Sequence, residues 1–134
     1  MSEQLFKDRA KKLSLDFIRL VEALPRARTA DVIGRQLLRS GTSIGANYRA
    51  ACRGRSTTDV IAKLRIVEEE ADESIYWMEL LVESKLISQT QAESLLRETN
   101  EIIAMTVASI KTLQKRNGIF PNNRKSKIEN RKCS

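Results

Sequence analysis

Five carboxylates crowd one short stretch of the chain, Glu68, Glu69, Glu70, Asp72 and Glu73, and four arginines, Arg35, Arg39, Arg49 and Arg53, precede them. Paired carboxylates suit acid/base or metal work, and guanidinium groups suit phosphate. The sequence has no histidine, which removes Ser-His-Asp and Cys-His catalysis, His-ligated zinc and the Glu-x-x-His pairs of di-iron bundles. A carboxylate metal centre in a helical bundle needs inward acids from every helix, and the other apolar-patterned segments offer no matching Asp or Glu. A phosphate loop of GxxxxGK[ST] form is missing too, since Gly41-Thr42-Ser43-Ile44-Gly45 lacks both the lysine and a preceding strand. The acids therefore read as a solvated or salt-bridged face. We expect a non-enzymatic protein with no catalytic residues, no metal and no cofactor.

The arginines are the sharper signal. Spaced by four, ten and four residues, Arg35, Arg39, Arg49 and Arg53 fall within roughly 80° of one another on a helix, opposite Ile33, Leu37, Ile44, Tyr48 and Ala51. A row of guanidinium groups on the face away from a core can track a phosphate backbone, because each offers paired donors at fixed geometry. The same row can instead pair with the acidic stretch, within the chain or across a subunit boundary. No zinc finger, ribonucleoprotein aromatic pair or recognition-helix turn is present, so any RNA or DNA binding should be backbone-dominated.

Charge distribution sharpens both readings. Residues 1–65 hold 14 Lys/Arg against six Asp/Glu, residues 66–116 hold five against ten, and residues 117–134 hold five against one. A basic half, an acidic half and a basic tail carrying Arg124, Lys125, Lys127, Arg131 and Lys132 together give the net +7. The tail residues and the arginine row form the expected nucleic-acid-binding set.

At 134 residues, 41% apolar but only 4% aromatic, with five Gly and two Pro, the chain suits one all-helical domain. The first helix shows in Phe6, Ala10, Leu13, Phe17, Leu20/Val21 and Leu24, stopped by Pro25. Thr29 is positioned to cap a second helix through Ile33, Leu37, Ser40/Gly41, Ile44, Tyr48 and Ala51, with Gly54 as a left-handed terminus. Ser56-Thr57-Thr58-Asp59 opens a third, along Ile61, Leu64, Val67, Ala71, Ile75, Met78 and Val82, breaking near Lys85-Leu86-Ile87. Ser88-Gln89-Thr90-Gln91 has the form of a capping box for a fourth, through Leu95, Thr99, Ile102, Thr106, Ile110 and Leu113, which Asn117-Gly118 ends. The expected fold is an all-α, antiparallel up-down-up-down four-helix bundle over residues 1–116, with a flexible basic tail over 117–134. Gly41 and Gly45 mark a close helix approach or a bend. Asn47, at the edge of the core, should hydrogen-bond across helices to Glu70 or Glu73.

Ile66, Trp77, Leu80 and Leu81 lie off the third helix's main stripe, which leaves that helix apolar nearly all round. A second apolar face predicts an oligomer interface, most economically with another copy of the chain. The charged start of the sequence, the lack of a long apolar segment and the wide separation of Cys52 and Cys133 predict a cytoplasmic protein with free thiols and no membrane association.

Three blocks, Gly41-Thr42-Ser43-Ile44-Gly45-Ala46-Asn47-Tyr48-Arg49-Ala50-Ala51, Lys63-Leu64 and Glu70-Ala71-Asp72-Glu73-Ser74-Ile75-Tyr76-Trp77-Met78-Glu79-Leu80-Leu81, closely resemble the signature of the four-helix-bundle proteins associated with intervening sequences of 23S ribosomal RNA genes. The resemblance covers roughly residues 5–115 and implies a homopentameric ring of up-down bundles. It extends in fold to the accessory variability protein of diversity-generating retroelements, and so implies a reverse transcriptase or another nucleic-acid enzyme as a possible partner. The family pattern carries a glutamate where this chain has Ala50, so any polar contact of that glutamate is missing here.

Overall fold

Four helices follow one another in the computed structural model, which describes residues 2–118: α1 (Glu3–Glu22), α2 (Arg28–Cys52), α3 (Thr57–Glu83) and α4 (Gln89–Arg116). The basic tail residues Arg124, Lys125, Lys127, Arg131 and Lys132, and Cys133, lie outside the described residues. Ser2, Ser56 and Ser88 cap α1, α3 and α4 by accepting from the backbone N–H of Leu5, Asp59 and Gln91. Ser88 and Gln91 complete the capping box, the Gln91 side chain accepting from the Ser88 N–H at 2.8 Å.

Two helix ends differ from the sequence reading. Ala27, not Thr29, occupies the extended position before α2 and provides no side-chain cap, while Asp31 puts a negative charge in the first turn, where the helix dipole favours it. Thr29 is already inside that turn. At the far end α2 stops at Cys52, and Gly54 is not left-handed. Its lack of a side chain matters for proximity, because a Cβ there would lie 2.4 Å from Cγ2 of Val60 as the chain enters α3. Among the described residues the left-handed positions are Lys85 (φ 66°) and Gly118 (φ 67°). Lys85 N–H donates to the Val82 carbonyl at 3.0 Å and Leu86 N–H to that of Leu81 at 2.9 Å, a Schellman turn with lysine where glycine is usual.

Each helix packs on its neighbours in sequence, and α4 closes back on α1. Gly41 faces the Phe17 ring and Gly45 faces Ala10, which runs α1 and α2 antiparallel. The all-α four-helix bundle is thus the observed architecture. Its main core is built on Phe6, Leu13, Phe17, Leu37, Ile44, Met78 and Ile102, and a smaller cluster of Ala51, Ile61, Leu64 and Ile110 occupies the end where α2 meets α3.

The buried stripe of α3 departs from expectation after Ala71. It continues through Ser74, Met78 and Leu81, all at 0% exposure, while Ile75 and Val82 are only half-buried. Leu81 is therefore a core residue and not part of an outer apolar face. Spacings of three, four and three keep Leu81 in line with Met78, and Ser74 holds its place in the core through a hydroxyl partner on α2. Ile66 and Tyr76 are exposed, at 38% and 53%, whereas Leu80 is half-buried and Trp77 is half-buried against the main core.

Candidate nucleic-acid interface

Arg35, Arg39 and Arg49 on α2 and Arg53 at its C-cap do not behave as one row. Arg39 reaches across to α3, where it donates to both carboxylate oxygens of Glu70, at 3.2 and 3.4 Å, and to Glu73. Glu73 also accepts from the Trp77 indole N–H at 3.1 Å. That indole bond and then Arg39 hold the Glu73 carboxyl below its usual range. Arg35 pairs along its own helix with Asp31 at 2.6 Å. Arg49 and Arg53 are exposed and enter no ion pair among the described residues.

Arg49 instead joins α1. A shallow groove of about 410 Å³ lies between the two helices, with Lys7, Lys11 and Arg49 supplying cations, Asp8 a carboxylate and Gln4 an amide, and Ser14, Gly45 and Ala46 only small side chains. Lys7 is shared with Glu3 at 3.1 Å, and Asp8 accepts from Gln4 at 2.9 Å. Lys11 and Arg49 are exposed and enter no ion pair among the described residues. The signal for this groove was present in the sequence as Lys7 and Lys11, one turn apart. What was missing was the pairing of that face with Arg49, which the approach of Gly45 to Ala10 at 3.5 Å decides.

Two further polar contacts differ from the reading of the sequence. Asn47 donates to the Ser43 carbonyl of its own helix at 2.9 Å, not to Glu70 or Glu73, which face Arg39 two turns back along α2. Arg9, which the sequence did not single out, forks onto Glu98 of α4 at 3.0 and 2.7 Å and reaches Glu101 at 2.7 Å, fastening α1 to α4. The bonds to Glu98 and then Glu101 raise its pKa further. Among the described residues, no three Asp, Glu or Cys side chains gather so as to hold a metal ion, and no helix is long and apolar enough to cross a membrane.

This bundle, with its glycine-lined α1/α2 contact and its acidic α3, matches the 23S rRNA-intervening sequence protein family over residues 3–108. The chain belongs to that family. Among solved structures it is similar to a protein with unknown function from the S23 ribosomal protein family of Bacteroides thetaiotaomicron, at 38% identity and a TM-score of 0.75, over 79% of this chain and 98% of that one. No curated protein matches. The family match ends before the last turns of α4, so the basic tail lies beyond the matched region.

Proposed function

We propose that this family member is a non-enzymatic, cytoplasmic, oligomeric bundle that binds RNA or DNA through phosphates. The observation that carries the reading is the α1/α2 groove, where Lys11 and Arg49 stand without carboxylate partners among the described residues over small side chains that let a sugar-phosphate backbone approach closely. The family's name, which refers to a ribosomal RNA gene insertion, agrees with a nucleic-acid partner. Assembly would use the outer face of α3 around Ile66, Trp77 and Leu80, beside exposed Tyr76, and a ring would multiply weak contacts into avidity. A nucleic-acid enzyme such as a reverse transcriptase is the natural client of such an adaptor.

Mobility shifts with generic duplex and structured RNA across a salt series test this. Replacing Lys11 and Arg49 together by glutamine should weaken binding at all salts with the oligomer intact. Replacing Arg124, Lys125, Lys127, Arg131 and Lys132 by glutamine should flatten the slope of log affinity against log salt by about 0.7 to 0.9 for each phosphate that is no longer neutralised. Absence of saturable binding by the unmodified protein at low salt would sink the reading. A second reading, in which the charges serve only subunit and partner contacts, is favoured by one observation: Arg39 is consumed by Glu70 and Glu73. It predicts that Arg39→Gln lowers stability by at most about 1 kcal/mol and that the unmodified protein shows no saturable RNA binding.

A further inference from the structure

The basic groove at Arg49 is one of two concavities on the same α1/α2 seam. The second, of about 600 Å³, lies where α1 turns into α2 and takes in Arg26, Arg28, Arg35 and Leu38, with Glu22 and Asp31 as its carboxylates. Asp31 is shared with Arg35, whereas Arg26 and Arg28 are exposed and enter no ion pair among the described residues. Each concavity therefore holds three cations, against two carboxylates here and Asp8 alone in the first. One register joins them, because Gly45 sits on Ala10, the Ser14 hydroxyl lies 3.4 Å from the Gly41 carbonyl, and Gly34 meets Val21. At about 1.5 Å per residue, Arg35 and Arg49 are about 21 Å apart along α2.

Between the two concavities the surface changes character. Leu15 and Ile18, on the turn of α1 that follows Ser14, are 44% and 39% exposed, and half-buried Leu38 of α2 lines the near edge of the second concavity. Apolar side chains with cations at both ends fit a polyanion that carries apolar surface between its charges. A duplex does not offer this to a protein that tracks its backbone, because its base faces are stacked inside. A single strand does, since its unpaired bases splay away from the phosphates and can lay their faces on apolar side chains. We propose, on top of the phosphate-binding reading on which this rests, that the α1/α2 face takes a single-stranded nucleic acid. Its phosphates sit at Lys11 and Arg49 at one end and at Arg26 and Arg28 at the other, with an unpaired base over Leu15 and Ile18.

Fluorescence anisotropy of labelled oligouridylate and oligothymidylate, each alone and annealed to its complement, tests this on the full-length chain across a salt series. The single strands should bind several-fold tighter than their duplexes at near-physiological salt, although a duplex carries more phosphates. Whichever single strand binds tighter names RNA or DNA as the natural one. Leu15→Gln with Ile18→Gln removes no charge and puts good helix formers at exposed positions. It should weaken single-strand binding about fivefold and leave duplex binding and the oligomer unchanged, with circular dichroism showing the bundle intact. Equal or tighter duplex binding would overturn the proposal and leave the phosphate-binding reading standing, as would single-strand affinity indifferent to the two substitutions. A changed oligomer in that variant would make the face a subunit contact, which also overturns it. So would poly-glutamate or phosphatidylglycerol vesicles that displace the strand as well as unlabelled strand does at equal anionic charge, because the face would then suit an acidic protein or a lipid surface. Absence of saturable binding by single strand and duplex alike would remove the phosphate-binding reading and this one together.

Discussion

Ser40 of α2 and Ser74 of α3 meet in the fully buried core with their hydroxyl oxygens 2.8 Å apart. Ser74 also lies 2.8 Å from the Glu70 carbonyl, whereas Ser40 lies 3.4 Å from that of Leu37. The shorter contact assigns the Ser74 proton to Glu70 and makes Ser40 the donor to Ser74. Either serine changed to alanine should lower stability by about 1 kcal/mol, by depriving the other of a partner. Changing both should cost less than the sum of the two single effects, because no hydroxyl is then stranded. Urea unfolding of the two single variants and the double variant measures this, and strict additivity would show that the two hydroxyls are not coupled.

Two of the α2 glycines that face α1, Gly41 and Gly45, should respond oppositely to alanine. At Gly41 an added Cβ would sit 2.5 Å from the Phe17 ring, a side chain with no exposure of its own, so Gly41→Ala forces a core shift that should cost about 1 to 3 kcal/mol. At Gly45 the nearest atom would be Ala10 Cβ at 3.5 Å, an ordinary contact, and the gain in helix propensity should leave Gly45→Ala neutral or up to about 1 kcal/mol more stable. Thermal midpoints of the pair decide it, and equal destabilisation would mean that α1 and α2 are closer at Gly45 than described.

Lys85 holds a left-handed conformation that L side chains adopt at a cost. Its neighbours already make both Schellman bonds, so glycine fits the turn without rearrangement. Lys85→Gly should raise stability by about 0.5 to 1 kcal/mol, somewhat offset by the greater freedom of glycine in the unfolded chain. A lowered urea midpoint would indicate that the lysine side chain makes a contact worth more than the strain.

Glu73 provides the pH prediction. Its carboxyl is held below the usual range of about 4.3 by the Trp77 indole and then by Arg39. A depressed folded-state pKa contributes stability above the unfolded value, and that contribution disappears as pH falls through the folded one. Stability should therefore drop as pH falls below about 4.3, and Glu73→Gln should flatten this dependence. Trp77 is the single tryptophan, so its emission reports the same proton directly. An emission midpoint at or above the ordinary glutamate value would contradict the geometry.

Replacing Leu81 should test the core, not the assembly face. Leu81→Ala should cost about 2 to 5 kcal/mol, since the side chain has no exposure. A charged residue at Leu80 or Ile66 should change the oligomer while the bundle stays folded. Light scattering and circular dichroism together separate the two outcomes.

Sequence alone determined the helices, because a period near 3.6 and serine caps are local properties: Ser56, Ser88 and Gln91 act as their spacing requires, and Phe6, Ala10, Leu13 and Phe17 all turn inward. It also determined the family, since the blocks around Gly41 and Glu70 are contiguous. Tertiary structure alone decided which neighbour each polar group meets. Ser74 was legible as a polar residue next to apolar Ile75, and only Ser40 facing it across the core makes Ser74 the buried one and carries Leu81 inward with it. Likewise the arginines of α2 share one face by spacing. The approach of α3 gives Arg39 to Glu70 and Glu73, and the approach of α1 places Arg49 with Lys7 and Lys11. A helix fixes the direction in which a side chain leaves its own axis, but the charge it finds there belongs to another helix, and that distance is set by packing.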